Sequence, residues 1–94
     1  AVLVDQHTAS AAEGVLVACR GRPNTRSFGL PTAGVPTGNA PQRLADGSVL
    51  LIATSAAVDR RGRSYLTALA PDKKGGLAIA RAWLSAGVRD WDGQ

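Results

Sequence analysis

A serine and a glutamate stand three residues apart near the start of the chain, in the segment Ser10-Ala-Ala-Glu13. A hydroxyl that precedes a helix lies beside amides that have no partner within the helix and that carry the positive end of the peptide dipoles. Those amides can stabilise an oxyanion, so the position suits a nucleophile that attacks a carbonyl carbon. The same spacing is a capping box, in which Ser10 only closes the helix and Glu13 returns to its amide. The four residues by themselves favour the cap, because caps are far commoner than nucleophiles.

The chain has one histidine and one cysteine, His7 and Cys19. A general base needs hydrogen-bond reach to its nucleophile and an orienting partner, which for His7 would be Asp5. We favour an ordinary turn role for His7, although contact with Ser10 across the turn is conceivable. Cys19 falls on an apolar helix face, which predicts a buried and unreactive thiol. One histidine and one cysteine cannot assemble a metal site, so we expect neither a metal nor a cofactor.

Two regular elements must position Ser10. The apolar run Val2–Val4 is typical of a buried strand, and the spacing of apolar residues over Ala11–Arg20 predicts a helix. Gly21 offers a left-handed cap at the end of that helix, and the proline two residues later prevents its continuation. Ser10 is therefore expected at a junction where a strand turns into a helix.

The remaining elements are short strands, a hairpin and a second helix. We predict a strand over Thr25–Phe28, an irregular loop over Gly29–Pro41, a hairpin of Gln42–Leu44 and Ser48–Thr54 around Asp46-Gly47, a strand over Ser64–Leu69 and a helix over Leu77–Ala86. The uninterrupted apolar run Val49–Ile52 predicts a strand that is covered on both faces. The charges of the Asp59–Gly62 turn are expected to be solvated. These elements give a mixed α/β fold in one domain, residues 1–87, followed by a tail, residues 88–94.

The composition is that of a soluble globular protein, with 45% apolar and 19% charged residues in a chain of 94. The net charge is +4, but the arginines are scattered and no aromatic residues interleave them, so we expect no nucleic-acid partner. No apolar stretch is long enough to span a membrane, and no leader sequence precedes the first strand. The start at Ala1 and the lack of methionine lead us to expect a piece of a longer protein.

Several segments resemble, in the same order, the S41 family of serine peptidases. They are Val2-Leu-Val-Asp, Thr8-Ala-Ser-Ala-Ala-Glu13, Gly21-Arg, Ser27-Phe-Gly-Leu-Pro-Thr-Ala-Gly34, Leu44-Ala-Asp-Gly-Ser-Val-Leu50 and Pro71-Asp72. The resemblance runs from about Val2 to Leu84 and points to the C-terminal processing, tricorn-like and nisin-resistance-type peptidases. It implies the C-terminal half of a ClpP/crotonase-like catalytic core, with a strand-helix unit, short strands, a β-hairpin and a C-terminal helix.

The resemblance also implies roles for individual residues. Ser10 aligns with the family's nucleophile, and the amide of Ala11 would donate to the oxyanion. One branch of the family takes its base from a lysine, but the alignment places Val35 there, which excludes a Ser-Lys dyad. The sequence looks more like the branch whose base is an upstream histidine, which belongs, with the second oxyanion donor, to the N-terminal half that this chain lacks. Tricorn-like members carry a glutamate where ungapped counting places Tyr65.

The loop beside the expected nucleophile offers four residues that could line a substrate cleft. They are Thr32, Gly34, Thr37 and Asn39. The alternative, that these residues only satisfy the geometry of turns, stays open.

The sequence predicts a serine endopeptidase fragment that acts on peptides or protein C-termini and is inactive, or nearly so, on its own. The main alternative is a non-catalytic binding or scaffold domain in which Ser10 is only a helix cap, and a weaker one is a crotonase-fold enzyme that acts on thioesters. Without its missing half the chain would expose a strand edge and an apolar helix face, so we expect self-association. The compartment is not readable from the residues, and the resemblance implies the bacterial cell envelope, the periplasm or secretion.

Overall fold

A computed structural model describes residues 1–87, and the predicted tail, residues 88–94, lies outside the described residues. The fold is mixed α/β, as the sequence predicts. Its elements are β1 (Val2–Val4), α1 (Ala11–Cys19), β2 (Ser27–Gly29), β3 (Thr37–Arg43), β4 (Val49–Val58), β5 (Ser64–Tyr65), β6 (Lys73–Lys74) and α2 (Leu77–Ser85).

The first sheet is parallel, with the strand order β1-β2-β6. Val4 pairs with Gly29 at the carboxyl end of β1 and β2. This pairing requires glycine, because a Cβ atom at position 29 would lie 1.8 Å from the carbonyl oxygen of Val4. The backbone of β2 therefore passes close to Val4 just before the chain turns toward Ser10.

The two helices pack on opposite faces of this sheet. On one face, α1 contributes Leu16 and Val17 to a buried cluster with Val4 and Leu69. On the other face, the buried ring of Phe28 meets the Trp83 ring of α2 at a centroid distance of 5.5 Å and an interplanar angle of 52°, a tilted arrangement that aromatic pairs favour. The parallel sheet is thus the middle layer of a small three-layer core.

The second sheet is antiparallel, with the strand order β3-β4-β5. Its main part is a long hairpin that turns at Asp46-Gly47, where Gly47 has a φ of 88° and Asp46 Oδ1 accepts from the Ser48 amide at 2.9 Å. The turn is where the sequence predicts it. The strands are longer than predicted, because β3 begins at Thr37, inside the expected irregular loop.

Glycine and proline do not prevent β3 from forming, because each occupies a position that a strand tolerates. The register shifts between Gly38 and Asn39, as at a β-bulge, where glycine is accommodated. Pro41 lies on a strand at the edge of its sheet, where a missing N–H need not leave a partner unsatisfied. The prediction of an irregular loop over Gly29–Pro41 is therefore wrong for its last five residues.

The apolar run of β4 is exposed rather than covered. The exposed fractions of its side chains are 54% for Val49, 50% for Leu50, 65% for Leu51 and 42% for Ile52. The prediction that Val49–Ile52 is covered on both faces is therefore wrong, since none of these side chains is covered by the residues that the structure describes. The run does not lie in the parallel sheet between the helices but in a hairpin that projects from it, and the principal extents are 59 × 25 × 15 Å.

The turn between β4 and β5 fastens the base of the hairpin to the end of α1. Arg60 Nε donates to the carbonyl oxygen of Arg20 at 2.9 Å, and Arg60 Nη2 donates to that of Ala18 at 2.5 Å. These carbonyls lie where a helix has no further amides to offer, so a cation is stabilising there. Arg60 is thus a capping residue rather than the merely solvated charge that the sequence predicts. Neither helix in residues 1–87 is long and apolar enough to cross a membrane.

Candidate active site at Ser10

Ser10 lies between β1 and α1 in a backbone conformation that a residue with a side chain rarely adopts. Its φ is 55° and its ψ is −116°, and its side chain is exposed. Such a conformation costs about 1 to 3 kcal/mol and persists where the surrounding structure enforces it, often at functional sites. A strained strand-to-helix turn is also how α/β-hydrolases present an exposed serine nucleophile.

Only one half of the capping box is tight. The amide of Ser10 donates to Glu13 Oε1 at 2.8 Å. The Ser10 hydroxyl faces the Glu13 amide in the manner of a box, yet it makes no side-chain cap hydrogen bond. The short hydrogen bond of the box thus involves the backbone of Ser10, and its side chain makes only the looser contact.

The first amides of α1 are partly engaged. The Ala12 amide donates to the Ala9 carbonyl and the Gly14 amide to the Ser10 carbonyl, each at 3.1 Å. Within residues 1–87 this leaves the Ala11 amide without a hydrogen-bond acceptor. An amide that lies next to a nucleophile and is free of internal partners is what an oxyanion donor requires, and the Ala11 amide lies next to Ser10.

Glu13 is fully buried, with an exposed fraction of 0%. Its Oε1 also accepts from the Val35 amide at 3.0 Å, and its Oε2 accepts from Thr32 Oγ1 at 2.6 Å and from the Gly34 amide at 3.0 Å. Burial opposes ionisation, but the four hydrogen bonds outweigh it and hold the pKa of the Glu13 carboxyl below its usual 4.5. The side chain is therefore a buried carboxylate that four donors satisfy.

Of the four residues that could line a cleft, Thr32 and Gly34 lie next to the Ser10 turn. Both donate a hydrogen bond to Glu13. Thr32 is 4% exposed, and its hydroxyl also accepts from the Leu69 amide at 2.9 Å. Its hydrogen bonds are thus used inside the protein. Thr37 and Asn39 instead lie on β3, opposite Ala56 and Ala53 of β4.

His7 belongs to a tight turn that Asp5 and Thr8 organise. Asp5 Oδ1 accepts from the backbone amide of His7 at 2.8 Å, and the Asp5 amide donates to Thr8 Oγ1 at 3.1 Å. Within the part of the chain that the structure describes, no hydrogen bond joins the imidazole to Ser10 or to Asp5. Asp5 orients the turn and not the ring, which leaves His7 with the ordinary turn role that we favour.

Two cavities lie at opposite ends of the parallel strands. The larger, about 490 Å³, lies at their carboxyl ends and is lined by Leu3, Phe28, Leu30, Leu77 and the turn residue Thr8, among others. It adjoins the turn that carries Ser10 and has mainly apolar walls. The smaller, about 140 Å³, lies at the amino ends and includes Val2, Ser27 and Asp72 in its lining.

Tyr65 and Asp72, which the family resemblance singles out, have hydrogen-bond partners away from Ser10. Tyr65 donates its hydroxyl to Asp59 Oδ2 at 2.7 Å, and burial together with this hydrogen bond raises the pKa of the Tyr65 phenol. Asp72, of the Pro-Asp pair, accepts from both the amide and the hydroxyl of Ser27 at 2.7 and 2.9 Å. In residues 1–87, no three His, Cys, Asp or Glu side chains lie close enough to hold a metal ion.

Glu13 is the residue whose role the sequence did not disclose. Its spacing from Ser10 indicates the capping box, and that part is present. Nothing in the pattern shows that the same carboxylate reaches a loop about twenty residues later. The only available signal was an acidic residue on the apolar side of a short helix, which predicts burial and therefore partners.

The chain is similar in sequence and in structure to known proteins. It matches the sequence profile of peptidase family S41 over residues 1–74, whereas no curated protein sequence matches it. A solved structure of a lipoprotein from Streptococcus agalactiae superposes with a TM-score of 0.79 at 35% sequence identity, covering 90% of this chain and 31% of that one. The chain therefore spans about a third of the length of that lipoprotein. A profile match over most of the sequence shows that the chain belongs to peptidase family S41.

Proposed function

We propose that Ser10 is the nucleophile of a serine peptidase and that this chain supplies part of its catalytic domain. The observation that carries the proposal is the strained backbone conformation of Ser10, together with the exposure of this residue. A serine that served only as a cap would be expected in an extended backbone conformation. Membership of peptidase family S41 supports the same role.

The reaction follows from the groups around Ser10. The hydroxyl oxygen attacks the carbonyl carbon of a peptide bond as a base takes the hydroxyl proton, and the negative oxygen of the tetrahedral intermediate accepts from the Ala11 amide. Collapse of the intermediate expels the amine, which takes up that proton, and leaves an acyl-serine that water hydrolyses. The family resemblance supplies the base from an upstream histidine and the second oxyanion donor from an upstream glycine.

The isolated chain is expected to be inactive, or nearly so. Loss of one oxyanion donor costs about 100- to 1,000-fold in rate, and loss of the base adds a further penalty that is not simply additive. The substrates that the resemblance favours are peptides and protein C-termini, and the resembling core is of the ClpP/crotonase type. The relative from Streptococcus agalactiae is a lipoprotein, which supports a location at the bacterial cell envelope.

A fluorophosphonate probe tests the proposal, because it modifies activated serine hydroxyls. The full-length protein should be labelled at Ser10, and Ser10→Ala should lose that label while keeping its circular dichroism spectrum. Hydrolysis of a peptide that ends in a free carboxylate, but not of an acyl-CoA, separates a peptidase from an enzyme that acts on thioesters. A folded full-length protein that takes no label would contradict the proposal.

A second candidate function is a non-catalytic binding or scaffold domain. The hydrogen bond from the Ser10 amide to Glu13 favours it, because that contact is the reciprocal half of a capping box. Under this alternative Ser10→Ala destabilises the fold by about 1 kcal/mol, the usual loss for a cap. Under the peptidase proposal the same change leaves stability nearly constant.

A further inference from the structure

We propose that Glu13 is a positioning residue that fixes the nucleophile turn against the loop Thr32–Val35. The inference rests on the proposed function of Ser10, since a positioning role requires a reacting group to position. The observations that support the positioning role concern the Glu13 carboxylate and its four donors, whereas the proposed function rests on the conformation of Ser10. Glu13 itself lies inside the protein and does not meet a substrate.

The division of donors between the two carboxylate oxygens carries the argument. Oε1 accepts from the amides of Ser10 and Val35, and Oε2 accepts from the Thr32 hydroxyl and the Gly34 amide. The Ser10 and Val35 nitrogens lie 2.8 and 3.0 Å from the same oxygen, so they are no more than 5.8 Å apart. One atom thus sets the separation between the nucleophile's backbone and the loop beside it.

The loop is also anchored on its other side. Thr32 donates its amide to the Leu69 carbonyl at 3.0 Å and accepts from the Leu69 amide at 2.9 Å, and Leu69 belongs to the buried core. A further bond joins the Ala33 amide to the Thr8 carbonyl at 2.9 Å. The carboxylate therefore joins the nucleophile turn to a loop that the core already holds.

The chemistry of the site requires a carboxylate of this length. Each of the four partners donates a hydrogen, and only an ionised carboxylate offers acceptors alone. A glutamine would turn an NH₂ group toward one pair of donors. An aspartate is shorter by one methylene and would not reach both the Ser10 amide and the loop at these distances. The partners are all uncharged, so the carboxylate is satisfied by hydrogen bonds and not by an ion pair.

The test compares Glu13→Gln with Asp72→Asn in the full-length protein. Asp72 is a matched control because its carboxylate also binds backbone and hydroxyl donors, but at the amino end of β2, away from Ser10. At a temperature where all variants are folded, Glu13→Gln should lower the rate of fluorophosphonate labelling by about 10- to 100-fold, the scale of a small misplacement. Asp72→Asn should lower the melting temperature and leave the labelling rate of the folded protein unchanged.

Two further readouts apply if Glu13→Gln does not fold. Thr32→Val removes one donor and should slow labelling. Thr32→Ser keeps the hydroxyl and should be labelled at close to the wild-type rate. Hydrogen exchange at the Gly34 and Val35 amides should accelerate in Thr32→Val and not in Asp72→Asn. Labelling of Thr32→Val and of any folded Glu13 variant at the wild-type rate overturns the positioning role alone. Absence of label on wild-type Ser10 overturns the proposed function and the positioning role with it.

Discussion

The backbone amides of Ser10 and Val35 donate to one and the same oxygen, Oε1 of Glu13, at 2.8 and 3.0 Å. Val35 is the position at which the family resemblance would place a catalytic lysine. The Val35 side chain is 51% exposed, so a longer side chain has room there. The backbone of this position therefore lies near that of Ser10, and it holds an aliphatic residue.

Val35→Lys should introduce a base near Ser10. A general base contributes about 100- to 10,000-fold when it is well placed, and we expect a gain of about tenfold in fluorophosphonate labelling, because the new side chain is not pre-oriented. The labelling rate should rise with pH as the new amine loses its proton. Val35→Gln is the matched control, since it has similar length and no basic group. Equal rates for the two variants would contradict this prediction.

Ser10→Gly should be more stable than Ser10→Ala. The φ of 55° is easily adopted by glycine and strained for alanine. We expect the free energy of unfolding of the glycine variant to exceed that of the alanine variant by about 1 kcal/mol. Urea denaturation monitored by circular dichroism measures the difference, and neither variant should react with the probe. A less stable glycine variant would show that the turn is not strained at this residue.

The free energy of unfolding should fall in acid as Glu13 becomes protonated. Burial opposes its ionisation, yet its hydrogen bonds hold the pKa of the folded state below 4.5. A lowered pKa means that the carboxylate's contribution is fully present above about pH 4.5, the unfolded value, and is lost as the pH falls through the folded pKa. The difference in unfolding free energy between wild type and Glu13→Gln should be constant above that pH, amount to at least about 2 kcal/mol, and shrink below it. A difference that does not vary with pH would rule out an ionised Glu13.

Tyr65 is the one tyrosine of the sequence, so its ionisation can be followed directly by ultraviolet absorbance. Burial and the hydrogen bond to Asp59 raise the pKa of the phenol above 10.0. The stability that this group contributes is therefore fully present below the unfolded value of about pH 10 and is lost as the pH rises through the folded pKa. Asp59→Asn should move the absorbance transition to lower pH. An unchanged midpoint would contradict the hydrogen bond.

The isolated chain should self-associate through the hairpin formed by β3 and β4. Leu51 is 65% exposed in an apolar strand, and contiguous apolar surface of this kind promotes association. Leu51→Lys should lower the association constant in sedimentation velocity. Leu66→Lys is the matched control, because Leu66 is also 65% exposed but lies outside the hairpin. A wild-type chain that stays monomeric at high concentration would contradict the prediction.

Local pattern was sufficient for the elements around Ser10. The strand Val2–Val4, the helix from Ala11 and the Asp46-Gly47 turn depend on residues adjacent in sequence, and each lies where it was expected. The environment predicted for Val49–Ile52 was wrong, because an apolar run does not reveal whether its strand lies in the core or in a projecting hairpin. The short strand Lys73–Lys74 was missed, since two lysines have no strand pattern and pair only because β2 lies beside them.

The sequence was sufficient to predict the position of Ser10 at the start of a helix, but not the contacts that surround it. Ser10 and Ala11 follow from a motif and from the general geometry of a helix start. Three of the four bonds to Glu13 depend on a tertiary contact between α1 and a loop that begins thirteen residues after the helix ends. Spacing along the chain carries no information on such a contact. The sequence therefore left open whether Thr32 lines a cleft or only satisfies a turn, whereas its hydroxyl is bonded inside the protein.

Arg60 connects the hairpin to the helix that begins after Ser10. The Arg60 side chain donates to the carbonyl oxygens of Ala18, in α1, and of Arg20, just after it. Ser10 precedes the first residue of the same helix. A helix of nine residues is a stiff rod about 14 Å long. The projecting hairpin and the turn at Ser10 are thus joined to opposite ends of one short, stiff helix, and a displacement of the hairpin would be expected to reach Ser10 through α1.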